Sequence, residues 1–241
     1  MVFPKSFDAS PSDASRTQER LPAKADRAVK GREHGPRPIG SYTKRALDLA
    51  LVVPALIVLA PLFLMTLVLI ACSIGTPVIY RHRRVGFNRQ EFDCLKFRTM
   101  LPNSDEILRR HLENCPDARR EWEQTRKLKN DPRITPVGAV LRKFSLDELP
   151  QLINVLRGEM SVVGPRPVVA QELAKYGANA SSYLRARPGI TGPWQISGRN
   201  DTTYGERVRL DTNYVSRWSL LTDIQIIIRT IPAVAFAKGS Y

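Results

Sequence analysis

The feature that most constrains this chain is an apolar run with a proline at its centre. From Leu49 to Cys72 no charged side chain occurs over 24 consecutive positions, and Thr66 is the one clearly polar residue among them. A bilayer-spanning helix needs about 20 such residues, and a buried soluble helix would show a polar face. The run therefore reads as membrane-inserted. Pro54 and Pro61 interrupt it, with 12 residues before Pro61 and 11 after. Proline removes a helical N–H and clashes with the preceding turn. Each half would be about 17–18 Å long, a little past the middle of a hydrocarbon core about 30 Å thick. A kinked hairpin that enters and leaves on one side thus competes with a spanning helix. Lys44 and Arg45 precede the run, and Arg81, His82, Arg83 and Arg84 follow it. Basic flanks favour the cytoplasm, and only a re-entrant helix keeps both clusters there. The expectation is a re-entrant helix over residues 39–75 that turns at Pro61.

The basic excess is large, with Lys+Arg 37 against Asp+Glu 23 and a net charge of +14. Such a surface seeks polyanions: nucleic acid, anionic lipid headgroups or phosphorylated substrates. Nucleic acid as partner would call for aromatics interleaved with the basic residues, and aromatics are only 7%. Cys72, Cys94 and Cys115 show no C-x-x-C spacing, and His residues number three. A zinc site and a disulfide framework are therefore not expected, and a reducing setting is the simplest reading. Residues 1–38, rich in Pro, Ser, Ala and charged side chains, read as a disordered basic tail. No apolar run follows Met1, so the tail is not expected to be a secretory signal.

Beyond Gly75 the pattern is mixed. Val78–Tyr80 and Phe92–Phe97 read as short strands around a turn at Gly86-Phe87-Asn88. Helices are expected over Asp105–Asn114, around Trp122, over Val137–Lys143, and over Ser145–Arg157 closed by Gly158. Gly164-Pro165-Arg166-Pro167 and Arg187–Gly192 are loops with a fixed path. Tyr204–Trp218 has helical spacing, and the strongly apolar Leu220–Phe236 suits a membrane interface. The fold class is α+β and mostly helical: a re-entrant membrane helix, then a small catalytic domain at 76–241 with a short β-hairpin and amphipathic interfacial helices.

The most informative stretch is Ser145-Leu146-Asp147-Glu148-Leu149-Pro150. Ser145 with Glu148 three residues later has the form of a capping box, and Pro150 suits an early helical position. The functional reading is compatible with it. A helix N-terminus attracts anions, and two adjacent carboxylates there could hold a divalent cation, supply a nucleophile and supply a base. Arg142 and Lys143 stand near enough to neutralise a pyrophosphate. Lys96 and Arg98 alternate along a strand and share a face. Arg166 between two prolines has a defined direction, and Arg199 sits in a Gly-Arg-Asn turn. Taken singly, each basic residue reads as a solvated surface charge. Asp211 and Asp223, set among apolar helical residues, read as ion-pair partners rather than metal ligands.

In order, Lys44-Arg45 with Asp48, the run around Pro61, Lys96-Phe97-Arg98-Thr99-Met100, Leu141–Gln151, Arg157–Pro167, Arg187–Gly192 and Gly198-Arg199-Asn200 resemble the small bacterial sugar transferases. These are the monotopic phosphoglycosyl transferases, and the resemblance covers residues 39–241. It implies that Asp147 attacks the β-phosphate of a UDP-sugar, forming a sugar-phosphoryl aspartate that polyprenyl (undecaprenyl) phosphate then resolves. It implies Glu148 as base or metal-site residue and Mg²⁺ as cofactor on Asp147 and Glu148. Lys96, Arg98, Arg142, Arg166 and Arg199 would handle phosphate and nucleotide, and Asp223 matches a further functional acid. Ala60 stands where the family often has Ser, so the bend at Pro61 would be held differently. The short form, the Gly-Arg-Asn-Asp stretch and the terminal Lys238-Gly239-Ser240-Tyr241 look most like rhizobial exopolysaccharide-initiating enzymes of the galactosyl type. Galactose is thus the first expected sugar and glucose the second. The implied location is the cytoplasmic face of the inner membrane, with a homo-oligomer left open. Two other readings are a membrane-anchored polyanion-binding protein and an assembly scaffold without chemistry.

Overall fold

The computed structural model describes residues 37–125, 128–197 and 203–235. The first helix, α1 (Ser41–Ser73), takes in the whole apolar run, and its helical pattern continues through Pro54 and Pro61. Among the described residues it is the one helix long and apolar enough to cross a membrane. Strands β1 (Ile79–Val85) and β2 (Glu91–Phe97) follow, then α2 (Ser104–Asn114), α3 (Pro116–Thr125) and α4 (Pro136–Lys143). A 3₁₀ turn at Leu146–Glu148 leads into α5 (Gln151–Arg157), β3 (Ser161–Val163), α6 (Ala170–Ala174) and α7 (Ala180–Leu184). The chain continues through β4 (Gly189–Thr191), α8 (Pro193–Ile196), α9 (Tyr204–Ser216) and α10 (Leu220–Ala235). The expected architecture of helices around a short hairpin is what the chain adopts.

The hairpin pairs Ile79 with Phe97 and Val85 with Glu91, antiparallel throughout. It is longer than its apolar residues suggest. The charges of β1 are accommodated across the strands, where Arg83 reaches Glu91 and Asp93 at 3.1 and 3.4 Å. A second sheet was not expected: β3 and β4 pair in parallel, Ser161 with Gly189 and Val163 with Thr191. Close backbone approach explains the glycine at 164, because a Cβ there would collide with the carbonyl of Arg187.

The stretch after α4 departs from the expected helix over Ser145–Arg157. Ser145 lies in the left-handed region at φ 56°, makes no capping bond, and α5 begins only at Gln151. A capping Ser needs extended backbone, which Ser145 lacks. Pro150 would clash with the carbonyl four residues earlier in a continuous α-helix. The Glu148 carboxylate is engaged by Lys96 at 2.6 Å.

α1 meets the domain at both ends. Its buried residues are Lys44, Asp48 and Val52 in the first half, and Thr66 and Ile70 in the second. Val52 packs in a cluster with Phe92, Cys94, Val155 and Met160. Ile70 packs in a cluster with Phe97 and Leu141, and the Phe63 and Phe97 rings lie 4.9 Å apart. Between these contacts Ile57, Val58, Leu64 and Met65 stay exposed. The first half is also tied by polar bonds. Asp48 accepts from the Ser161 hydroxyl and the Val162 N–H, both at 2.9 Å, and Lys44 pairs with Asp223.

Candidate active site

The site is assembled on one face of the hairpin. Alternation along the strands sets Tyr80, His82 and Arg84 of β1 beside Lys96, Cys94 and Phe92 of β2. α5 is hooked to this sheet by buried Asn154, which accepts from the Leu95 N–H at 2.9 Å and donates to the Asp93 carbonyl at 2.8 Å. That hook sets the 3₁₀ turn beside β2, and Lys96 donates to Glu148 at 2.6 Å. α4 approaches from the other side. Gly138 lets it close onto the Thr99 carbonyl, where any Cβ would collide. Arg142 then donates from Nε to the Thr99 hydroxyl at 2.8 Å.

The electrostatics of this turn are unusual. Burial pushes the Asp147 carboxyl up to about 6, and the adjacent Glu148 charge adds to the rise. Lys96 and Arg142 pull the other way and limit it. Burial alone would lower Lys96, yet the charges of Glu148 and Asp147 outweigh it and hold the ammonium above its ordinary range. Burial lowers Arg142, with Asp147 and Asp131 opposing the fall. The result is two neighbouring carboxylates inside a cationic frame, one of them poised to ionise near neutrality.

The structure brings Asp147, Glu148, Lys96 and Arg142 together. Arg166 lies at the edge, its guanidinium over the Trp194 ring at 5.1 Å, within electrostatic range of Glu148 and Arg207. Arg98 stands outside this cluster: it donates to the Thr76 carbonyl at 3.5 Å, at the exit of α1. Asp223 is fully buried and takes bonds from Lys44, Tyr214 and Trp218, the ion pairing expected from its surroundings. Asp211 accepts from the Tyr176 hydroxyl at 2.8 Å. Arg199 lies outside the described residues, and Pro61 sits within α1, on the exposed stretch between its two contacts.

Several neighbours of the site escaped the sequence reading. Arg84 donates to the Pro167 carbonyl at 3.3 Å and faces Glu172 at 3.6 Å, which fixes the Arg166 loop to the hairpin. In sequence it belongs to the basic flank of the membrane run, and strand alternation is the signal that separates it. Trp194 has two guanidinium groups against its ring, Arg166 at 5.1 Å and Arg207 at 4.9 Å from its centroid. Nothing local in the sequence marks that stack.

A family model described as bacterial sugar transferase matches residues 39–237. The chain belongs to this family. An exopolysaccharide production protein ExoY of Rhizobium meliloti is 58% identical over 205 residues, covering 85% of this chain and 91% of that one. The ExoY protein of Sinorhizobium fredii is 57% identical over the same shares. An undecaprenyl-phosphate galactose phosphotransferase of Salmonella typhimurium is 49% identical over 200 residues, 83% of this chain but 42% of that larger protein. The expectation of a membrane-associated phosphoglycosyl transferase is borne out at this level, and Asp147, Glu148, Lys96, Arg142 and Arg166 all fall within the matched residues.

Proposed function

We propose that this enzyme transfers galactose 1-phosphate from UDP-galactose to undecaprenyl phosphate, as the first step of an exopolysaccharide repeat unit. The observation that carries the reading is Asp147, a carboxylate raised to about 6 yet framed by Lys96 and Arg142. Such a group is ionised at neutral pH but poorly solvated, which favours attack on phosphorus. Asp147 attacks the β-phosphorus, a carboxylate–phosphorus bond forms, and the bond to UMP breaks. An oxygen of the lipid phosphate then attacks the same phosphorus, and the electron pair returns to Asp147. Lys96, Arg142 and Arg166 offset the charge of the pyrophosphate. Glu148 assists as a base or as a partner of Asp147 in binding metal. The donor set suits Mg²⁺, which typically takes one or two carboxylates and completes its shell with substrate phosphates and water. Asp147 and Glu148 would hold it, and its chemistry there is neutralisation of the pyrophosphate. Galactose rests on the Salmonella relative, whose name specifies that sugar.

The test measures UMP release from a panel of UDP-sugars with undecaprenyl phosphate and Mg²⁺. UDP-galactose should turn over fastest, EDTA should stop the reaction, and Asp147→Asn should reduce turnover at least ~10³-fold with no sugar label trapped on protein. Labelled Asn variant would remove Asp147 as the nucleophile.

The packing of α1 supports a re-entrant helix on the cytoplasmic face. Val52 shares its cluster with Val155, and Ile70 shares its cluster with Leu149. Val155 and Leu149 are about 9 Å apart along α5 and its lead-in, whereas Val52 and Ile70 would be about 27 Å apart in a straight helix. A bend near Pro61 reconciles the two spacings. UDP-sugars are cytoplasmic, and the basic clusters on both flanks favour that side. A single cysteine at Ser10, in a chain lacking Cys72, Cys94 and Cys115, should resist an impermeant thiol reagent in intact cells. Labelling before lysis would establish a span.

A further inference from the structure

An open cavity of about 540 Å³ lies where α1 hands over to β1, lined by Pro77, Val78, Ile79, Tyr80, Arg81 and Arg98. Its position and lining have consequences. The walls are largely apolar, and the Tyr80 ring, 48% exposed, forms part of them. Two guanidinium groups stand at the same cavity. Among the described residues neither Arg81 nor Arg98 has a carboxylate partner, and Arg98 makes only a long bond to the Thr76 carbonyl. The combination of apolar wall and uncompensated cation selects an amphiphilic anion.

The cavity is also joined to the reacting groups. The Arg98 N–H donates to the Val78 carbonyl at 2.8 Å, which continues the ladder in which Tyr80 pairs with Lys96. Arg98 and Lys96 therefore share a face, two positions and about 7 Å apart along the strand. Lys96 in turn holds Glu148, next to Asp147. The other end of the cavity, at Pro77, lies four residues beyond the end of α1 and its apolar surface.

We propose that this cavity is the docking site of the polyprenyl phosphate acceptor. The first isoprene units lie against Pro77, Val78 and Tyr80, Arg98 receives the phosphate as it enters, and Lys96 guides it to the phosphoryl-aspartate. The proposal rests on the reaction assigned above, and names where its lipid substrate binds.

The test uses the full-length protein in nanodiscs with a diazirine-bearing polyprenyl phosphate as photoprobe. Crosslinks displaced by unlabelled polyprenyl phosphate should map to residues 77–81, and Val78→Trp and Arg98→Gln should each lower their yield at least fivefold. Arg98→Lys should recover part of the loss. In steady-state assays the same two variants should raise KM for the lipid at least tenfold and KM for UDP-galactose less than twofold. Crosslinks confined to other segments would overturn the proposal. So would a rise in the UDP-galactose KM alone, which would place the nucleotide in the cavity. Photolabelling needs no turnover. A wild-type protein that crosslinks at 77–81 but releases no UMP would therefore sink the assigned reaction and leave the docking site standing.

Discussion

Two lysine–carboxylate pairs in this protein share one separation and differ in everything around it. Lys44 and Asp223 meet at 2.6 Å with side chains 5% and 0% exposed. Lys96 and Glu148 also meet at 2.6 Å, but at 30% and 36% exposure. In the first pair both carboxylate oxygens are hydrogen-bonded: Asp223 also accepts from Tyr214 at 2.7 Å and from Trp218 at 3.0 Å. In the second, a further carboxylate, Asp147, stands alongside and is pushed up to about 6. The closed pair joins α1 to α10 and has no room for a ligand. The open pair stands beside a second carboxylate and has access from outside. Ion pairing by itself thus says little about role; burial and access separate the anchor from the proposed reactive site.

The comparison is broken most severely from the closed side. Asp223→Ala leaves the Lys44 ammonium buried without its counter-charge, a change that typically costs ~3–5 kcal/mol. Glu148→Ala removes a partly exposed partner and should cost under ~1 kcal/mol of stability. Thermal unfolding in detergent should show a large loss for the first and little for the second, while UMP release falls steeply in the second. Equal losses of stability would erase the distinction between the pairs.

The next effect lies on the open side. Lys96→Ala should slow turnover by ~10²–10³-fold, the range for losing one preorganised charge-stabilising donor. It should also move the acid limb of the rate profile. In the proposed mechanism Asp147 reacts only as carboxylate, so activity should fall as pH drops through about 6. Lys96 is the largest of the influences that hold that value down, so its removal should shift the limb to higher pH. A limb that stays in place would detach Lys96 from Asp147.

What the sequence could reveal follows the range of the interactions. The apolar run, the hairpin and the helix over Ser104–Asn114 are set by neighbours a few residues away, and each was legible. Asp147 and Glu148 were legible through the resemblance, although their local geometry was not. Ser145 is left-handed and Glu148 is paired with Lys96, 52 positions away, which no capping pattern encodes. The role of Asp223 depends on Lys44, 179 positions away. β3 and β4, three residues each, are too short to show a period.

The smallest effect runs opposite in sign to the others. In the unfolded chain Asp147 has its ordinary value of 3.8, and in the fold it is raised to about 6. The folded state therefore binds the proton more tightly than the unfolded state does. The contribution of this group to stability is fully present below pH 3.8 and is lost as pH rises to about 6, after which it stays lost. Above pH 6 the ionised Asp147 is thus a standing cost, which the proposed reaction requires. Asp147→Asn removes the charge at almost constant shape. It should raise stability on the order of 1–2 kcal/mol at pH 7.5, after allowance for residual solvent around the carboxyl. The gain should shrink as pH falls from 6 to 4 and vanish below that. Asp223→Asn should show the reverse, a loss of stability at pH 7.5, because its charge is matched by Lys44 in the fold. Melting temperatures of the two Asn variants between pH 4 and pH 8 decide the matter. A destabilised Asp147→Asn at pH 7.5 would mean that the open pair is held as tightly as the closed one.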